Sequence, residues 1–154
     1  MGATGATGAT GSSGSSEFAD FYAMMPPDNA ATVGVGADVQ FSQNGPSSGT
    51  IVRTSATTFS LPTIGTYQVM FQVSVAEPGQ LIVTLNSADV PYTVVGRATG
   101  TTQIVGMALV TTTTINSLLT VRNPAGNSTA LTITPIAGGT RAVAAHLIIT
   151  RLAP

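Results

Sequence analysis

The chain has 154 residues, 43% of them hydrophobic but only 7% charged, with a formal net charge of -1 and no Cys, Trp or Lys. Soluble domains average about 25% charged residues, so this surface is either covered by Thr, Ser, Asn and Gln or hidden against other subunits. The charge balance excludes a phosphate-tracking nucleic-acid surface. Without Cys there is neither a disulfide framework nor a thiolate metal site.

Residues 1–16 are a repeat. Gly2, Gly5, Gly8, Gly11 and Gly14 stand at strict period three, giving Gly-Ala-Thr three times and then Gly-Ser-Ser twice. Only Gly fits at the crowded axis of a collagen triple helix, so the period reads as the end of a collagen-like stalk, against the alternative of a flexible Gly/Ser linker. The triplets lack Pro, nothing pre-sets the polyproline conformation, and the segment is expected to be disordered in isolation. No basic region or apolar stretch follows Met1, so no signal peptide is expected there. Apolar runs such as Ile104 to Val110 fall far short of the roughly 20 residues that span a bilayer, and no membrane insertion is expected.

Residues 17–154 read as one all-β domain. Val, Ile, Thr, Tyr and Phe dominate, and turn residues recur about every ten positions, as in a sandwich or barrel. Strands are expected over Glu17 to Met25, Thr32 to Phe41, Thr50 to Arg53, Thr57 to Leu61, Gly65 to Ala76 and Gln80 to Asn86. They continue over Tyr92 to Arg97, Thr101 to Thr112, Ser117 to Arg122, Ala130 to Thr134 and Val143 to Leu152. The breaks fall at Pro26-Pro27-Asp28, Asn44-Gly45-Pro46, Glu77-Pro78-Gly79, Asn123-Pro124-Ala125-Gly126 and Gly138-Gly139, which are turn-forming combinations.

In the strand from Gly65, Tyr67, Val69, Phe71, Val73 and Val75 alternate with Gln68, Met70, Gln72 and Ser74, and alternation puts the two sets on opposite faces. The first set faces a core. The second is polar or adaptable yet uncharged, as in a surface buried against another subunit, where charge is depleted. The last strand, Ala144 to Thr150, is apolar on nearly both faces and is expected mid-sheet with both sides covered. Gln68, Met70, Gln72, Ser74, His146 and Ile148 are therefore the expected residues of a homotrimer interface, three chains being what a collagen-type repeat requires.

Catalytic residues are scarce. His146, the only imidazole, lies on a largely apolar strand and reads as structural. No Gly-x-Ser-x-Gly elbow positions a nucleophile for it, and one His without Cys cannot supply a zinc site from a single chain. The chain is not expected to be an enzyme, and neither a cofactor nor a metal is expected. Thr111 to Thr114 read as a solvated strand end, Asn127-Ser128-Thr129 as a chance glycosylation pattern, and one or more of the five Arg as candidates to cross between protomers.

The stretch Phe59-Ser60-Leu61-Pro62-Thr63-Ile64-Gly65-Thr66-Tyr67-Gln68-Val69-Met70-Phe71 resembles the central motif of the C1q/tumour-necrosis-factor jelly rolls: an apolar strand, a Gly turn, then a long Tyr-containing strand. With the Gly-X-Y triplets before it and a Thr-rich, charge-poor remainder, the chain most resembles the collagen-like glycoproteins of the bacterial spore surface, the BclA type, with triplets similar to those of a clostridial member. The resemblance implies a ten-stranded jelly-roll homotrimer at the distal tip of filaments on the outermost spore layer, the exosporium. It also implies O-glycosylated stalk threonines, to which Thr4, Thr7 and Thr10 correspond. Calcium sites known in some such heads are not carried over, because Glu17, Asp20, Asp28, Asp38, Glu77 and Asp89 form no dense cluster in sequence and calcium takes six to eight oxygens. The expected role is structural: the head trimerises and sets the register of the stalk. The alternative is an adhesion or recognition module for a host-surface protein or glycan, carried on loops Ser42 to Ser48, Asn86 to Pro91 and Asn123 to Thr129.

Overall fold

Residues rich in Val, Ile, Thr and aromatics suit a pleated, half-buried surface, and in the computed structural model, which describes residues 1, 2, 5, 16–28 and 32–154, they form strands joined by turns and loops. In chain order these are β1 (Phe18–Met25), β2 (Thr32–Val33), β3 (Gln43–Ser48), β4 (Val52–Arg53), β5 (Phe59–Leu61), β6 (Gly65–Val75) and β7 (Gly79–Leu85). Then come β8 (Ala88–Asp89), a single 3-10 turn at Pro91–Thr93, β9 (Val95–Arg97), β10 (Thr102–Thr112), β11 (Ser117–Arg122), β12 (Leu131–Thr132) and β13 (Val143–Ala153). The Gly-X-Y period falls largely outside the described residues, as do Thr4, Thr7 and Thr10.

Two sheets face each other. One has the order β10-β6-β13-β1-β3; the other runs β4-β5-β11-β7-β8, with β9 also paired to β7, and β12 with β2 forms a separate clip. The chain passes repeatedly from one sheet to the other, the connectivity of a jelly roll. Tyr67, Val69, Phe71, Val73 and Val75 of β6 are all buried, and so are Ala145, Leu147 and Ile149 of β13. They pack with Phe59, Leu61, Leu81, Val83, Leu119 and Val121 of the opposite sheet into one core. As expected from its composition, β13 lies mid-sheet, between β6 and β1.

Four expectations are corrected. The strand foreseen over Thr32 to Phe41 is only Thr32–Val33; beyond it the chain turns at Gly36 and keeps one bridge, Asp38 to Arg122, while Val39 and Phe41 still fill the core. The turn foreseen at Asn44-Gly45-Pro46 lies inside β3. Proline is admissible there because β3 is a sheet edge, where the missing N–H costs no ladder bond, and the pairing with β1 shifts register between Ala19 and Phe21. The loop foreseen at Asn86 to Pro91 contains β8, made possible by Asn86 and Ser87 at φ 50° and 70°, the left-handed pair that a two-residue hairpin turn requires. Tyr92 belongs to the 3-10 turn rather than to a strand.

The Gly-Thr-Tyr motif has a specific structural basis. A Cβ on Gly65 would lie 2.4 Å from the carbonyl oxygen of Ala153 and 3.0 Å from Arg151 Nε, so the close approach of β13 to the start of β6 requires glycine. Two residues on, the Tyr67 hydroxyl donates to the Thr63 carbonyl at 2.6 Å, and burial raises the phenol above its ordinary pKa. Gly65→Ala is expected to lower stability by about 1–3 kcal/mol, as overpacked sites do, read as a fall in the thermal midpoint with unchanged far-ultraviolet circular dichroism at 20 °C.

At the other end of β6, the Glu77 carboxylate accepts from the Thr132 hydroxyl and the Thr132 N–H, each at 2.6 Å. Those bonds, the hydroxyl first, hold Glu77 below the usual Glu range. A carboxyl whose folded-state pKa is depressed contributes stability that is present above its unfolded value and lost as pH falls through the folded one. Acidification below about pH 4.5 is therefore expected to loosen the clip around β12, seen as faster amide exchange at Thr132, and Glu77→Gln should remove most of that acid response.

Candidate assembly face

Residues paired across antiparallel strands point to the same side of the sheet, so the register of the β10-β6-β13-β1-β3 sheet defines its outer face row by row. Val105, Gln72, His146, Tyr22 and Gln43 form one row; Met107, Met70, Ile148 and Asp20 the next; Leu109, Gln68, Thr150, Phe18 and Ser48 the third. Its β10 side is open and apolar, with Val105, Met107 and Leu109 exposed at 54%, 65% and 53% and Met70 at 37%. Three neighbouring large apolar side chains more than half exposed on one strand, joined by Met70, make a contiguous patch of the kind that marks an interaction surface.

The structure brings Gln68, Met70, Gln72, His146 and Ile148 together on this face. Ser74 points the same way but is 5% exposed. The segment after β12 covers it, bridging to β6 at Ile133 and Val75 and donating from Thr134 N to the Ser74 carbonyl at 3.0 Å. Ser74 therefore leaves the candidate set. Val105, Met107, Leu109, Phe18, Tyr22 and Asp20 enter it, although sequence reasoning had not assigned them to this face.

His146 is neither buried nor isolated. Its Nδ1 lies 3.0 Å from Asp20 Oδ1, with side-chain exposures of 38% and 23%, and its ring packs on Tyr22 at a centroid distance of 5.8 Å. A depression of about 260 Å³ beside the pair is lined by Asp20, Met70, Gln72, Val105, His146 and Ile148. No nucleophilic hydroxyl lines it, and the pair lacks the geometry of a catalytic triad. Among the described residues no group of three or more His, Cys, Asp or Glu lies close enough to hold a metal ion, and no helix is long and apolar enough to cross a membrane.

The arginines are used mainly within the protomer. Arg122 clasps Asp38 through Nε at 2.8 Å and Nη2 at 3.3 Å, and the hydrogen bond to that carboxylate raises its pKa further above the ordinary Arg value. Arg53 donates to Asn44 Oδ1, Arg97 to the carbonyls of Thr99 and Gly100, and Arg151 to the Ile64 carbonyl. Arg141 stands exposed in the turns before β13. Away from the sheet face, a polar cleft of about 740 Å³ lies between the β7–β9 pairing and the 126–129 loop, lined in part by Gln80, Arg97, Asn127, Ser128 and Thr129. Of the three loops considered for recognition, only Asn123 to Thr129 borders it.

No family model and no curated protein sequence matches the chain. Solved structures do. The globular domain of zebrafish complement 1qA protein superposes with a TM-score of 0.57 at 12% identity, covering 88% of this chain and 96% of that one. Murine APRIL, solved at pH 8.5, superposes with a TM-score of 0.58 at 14% identity, covering 88% of this chain and 99% of that one. At these identities the likeness establishes the fold, the C1q/TNF-like jelly roll, over nearly the whole described domain.

Proposed function

We propose that the chain is a structural head that trimerises through the outer face of the β10-β6-β13-β1-β3 sheet and thereby sets the register of a collagen-like stalk. The observation that carries this reading is the run of Val105, Met107 and Leu109 along β10, exposed beside Met70 with no Lys, Arg or Glu among them. Burying such a side chain gains about 1.5–3 kcal/mol relative to leaving it in water, and a sheet face with this composition is finished by a second copy of itself. The Gly-X-Y triplets at residues 2–16 supply the reason for threefold closure, since a triple helix needs three chains and is slow to start without a nucleus. The Thr-rich exterior and the resemblance of the triplets to those of exosporium glycoproteins support a place on the outermost spore layer, with Thr4, Thr7 and Thr10 as O-glycan acceptors.

The deciding experiment is the solution mass by sedimentation equilibrium over a range of micromolar concentrations. A trimer is the expected result; a monomer throughout overturns the reading. The exosporium placement is tested separately by labelling intact spores with antibody against the head, a signal expected to disappear when the outer layer is stripped. A recognition role for a host-surface protein or glycan is favoured by one observation, the polar cleft beside Asn127, Ser128 and Thr129. Saturable binding in a glycan screen, lost on Ser128→Glu, distinguishes it from a purely structural cap.

A further inference from the structure

On the reading that this sheet face is the trimer contact, we infer that the Asp20–His146 pair makes assembly proton-dependent, tightening it at acidic pH and loosening it at alkaline pH. His146 is the only histidine in the chain, and imidazole is the side chain whose unperturbed charge change falls between about pH 5 and 8. The pair sits within the candidate contact. His146 shares a row with Val105 and Gln72, and Asp20 shares the adjacent row with Met107 and Met70. Both side chains are still partly in water in the isolated protomer, at 38% and 23% exposure, so association is what completes their burial.

The neighbouring strands supply no other charge. From β1 come Asp20 and Tyr22; from β6, Gln72 and Met70; from β10, Val105; from β13 itself, Ala144 and Ile148. Beyond Tyr22 on β3 lies Gln43, whose amide donates to Asp28 Oδ1 at 2.9 Å. The imidazole therefore contacts a single carboxylate, that of Asp20. With one proton the pair is an imidazolium facing a carboxylate, net zero; without it, the pair is a neutral ring beside an unbalanced negative charge. Burying a net charge in an apolar contact costs far more than burying a hydrogen-bonded neutral pair, and threefold closure brings three such charges together. Association therefore favours the protonated pair and takes up protons. The resulting stabilisation is complete at pH values below the titration of the free imidazole and is lost as pH rises through that of the buried one.

Sedimentation equilibrium of the wild-type chain at pH 5.5 and pH 8.5 tests this. Each pKa unit gained on burial is worth about tenfold per protomer, hence about a thousandfold in the three-body association constant. His146→Gln is expected to abolish the difference. Asp20→Asn is expected to reverse it, because protonation then creates an unbalanced positive charge instead of removing a negative one. A trimer whose association constant is the same at both pH values overturns the proton-dependence and leaves the assembly reading intact. A monomer at both values overturns both. Persistence of the full pH effect in His146→Gln assigns it to another group and refutes the inference.

Discussion

Met107→Glu should give a folded monomer. Its side chain stands 65% exposed midway along β10, on the open apolar side of the sheet face, where its polar contact is the Gln68 amide at 3.2 Å from Sδ, so the isolated protomer loses almost nothing when a carboxylate replaces it. In the assembly the same carboxylate is buried beside Val105 and Leu109 of its own strand and Met70 of β6, none of which can balance it. An uncompensated buried charge costs about 3–5 kcal/mol, or at least a hundredfold in affinity at about 1.4 kcal/mol per tenfold, and it recurs in every copy. Sedimentation is expected to show the monomer mass at concentrations where the wild type is expected to be trimeric, with an unchanged thermal midpoint in the dilute monomer. Ser128→Glu, a charge placed off this face, should leave the trimer intact. A trimeric Met107→Glu chain would place the contact elsewhere.

The second large effect concerns the opposite side of the same strand. Gly106→Val is expected to destabilise the protomer by about 3 kcal/mol or more, which at about 2–4 °C per kcal/mol for a chain of this size lowers the midpoint by roughly 6–12 °C. Strand propensity predicts the reverse, because valine favours strands and glycine weakens them. Geometry decides the sign. A Cβ at Gly106 would lie 2.3 Å from Phe71 Cζ and 2.6 Å from Cε1, and Phe71, at 2% exposure, is held within the core. Phe71→Leu in the Gly106→Val background should recover part of the loss, a coupling that an effect of propensity alone would not produce.

These two positions also show what sequence alone can and cannot resolve. The strand from Gly65 was readable because its two faces differ in chemistry, and every residue assigned to the core face is buried. In β10 both faces are apolar: Ile104, Gly106, Ala108 and Val110 on one, Val105, Met107 and Leu109 on the other. By size alone the bulkier set belongs inside. The structure reverses this, because the ring of Phe71 reaches across from β6 and occupies the volume that Gly106 leaves empty. The set that contains Gly106 and Ala108 therefore faces the core, and Val105, Met107 and Leu109 face out. Val105, Met107 and Leu109, half of the residues that join the candidate face, were hidden for this reason. Likewise, Asp20 and His146 stand 126 positions apart, and no local pattern announces their meeting; only the antiparallel pairing of β1 with β13 does. Ser74 failed in the opposite way: its alternation is regular, but a distant segment folds over it. The overall architecture came through because strand composition and turn spacing are local properties, whereas Pro46 shows that a turn signal can instead mark an edge.

The placement of the arginines bears on how the chain meets a protease. With no lysine, trypsin has five basic residues to cut after; Arg151 lies inside a strand, where the backbone cannot enter an enzyme's cleft without local unfolding, and Arg53, Arg97 and Arg122 close theirs with their guanidinium groups hydrogen-bonded within the protomer. Arg141 alone sits exposed among turns, the kind of site where nicking concentrates. A cut there separates residues 142–154 from the rest, yet that piece is the central strand of its sheet, hydrogen-bonded on both sides to β1 and β6. A tryptic cut at Arg141 thus leaves the two fragments held together as a single particle until denaturant is added.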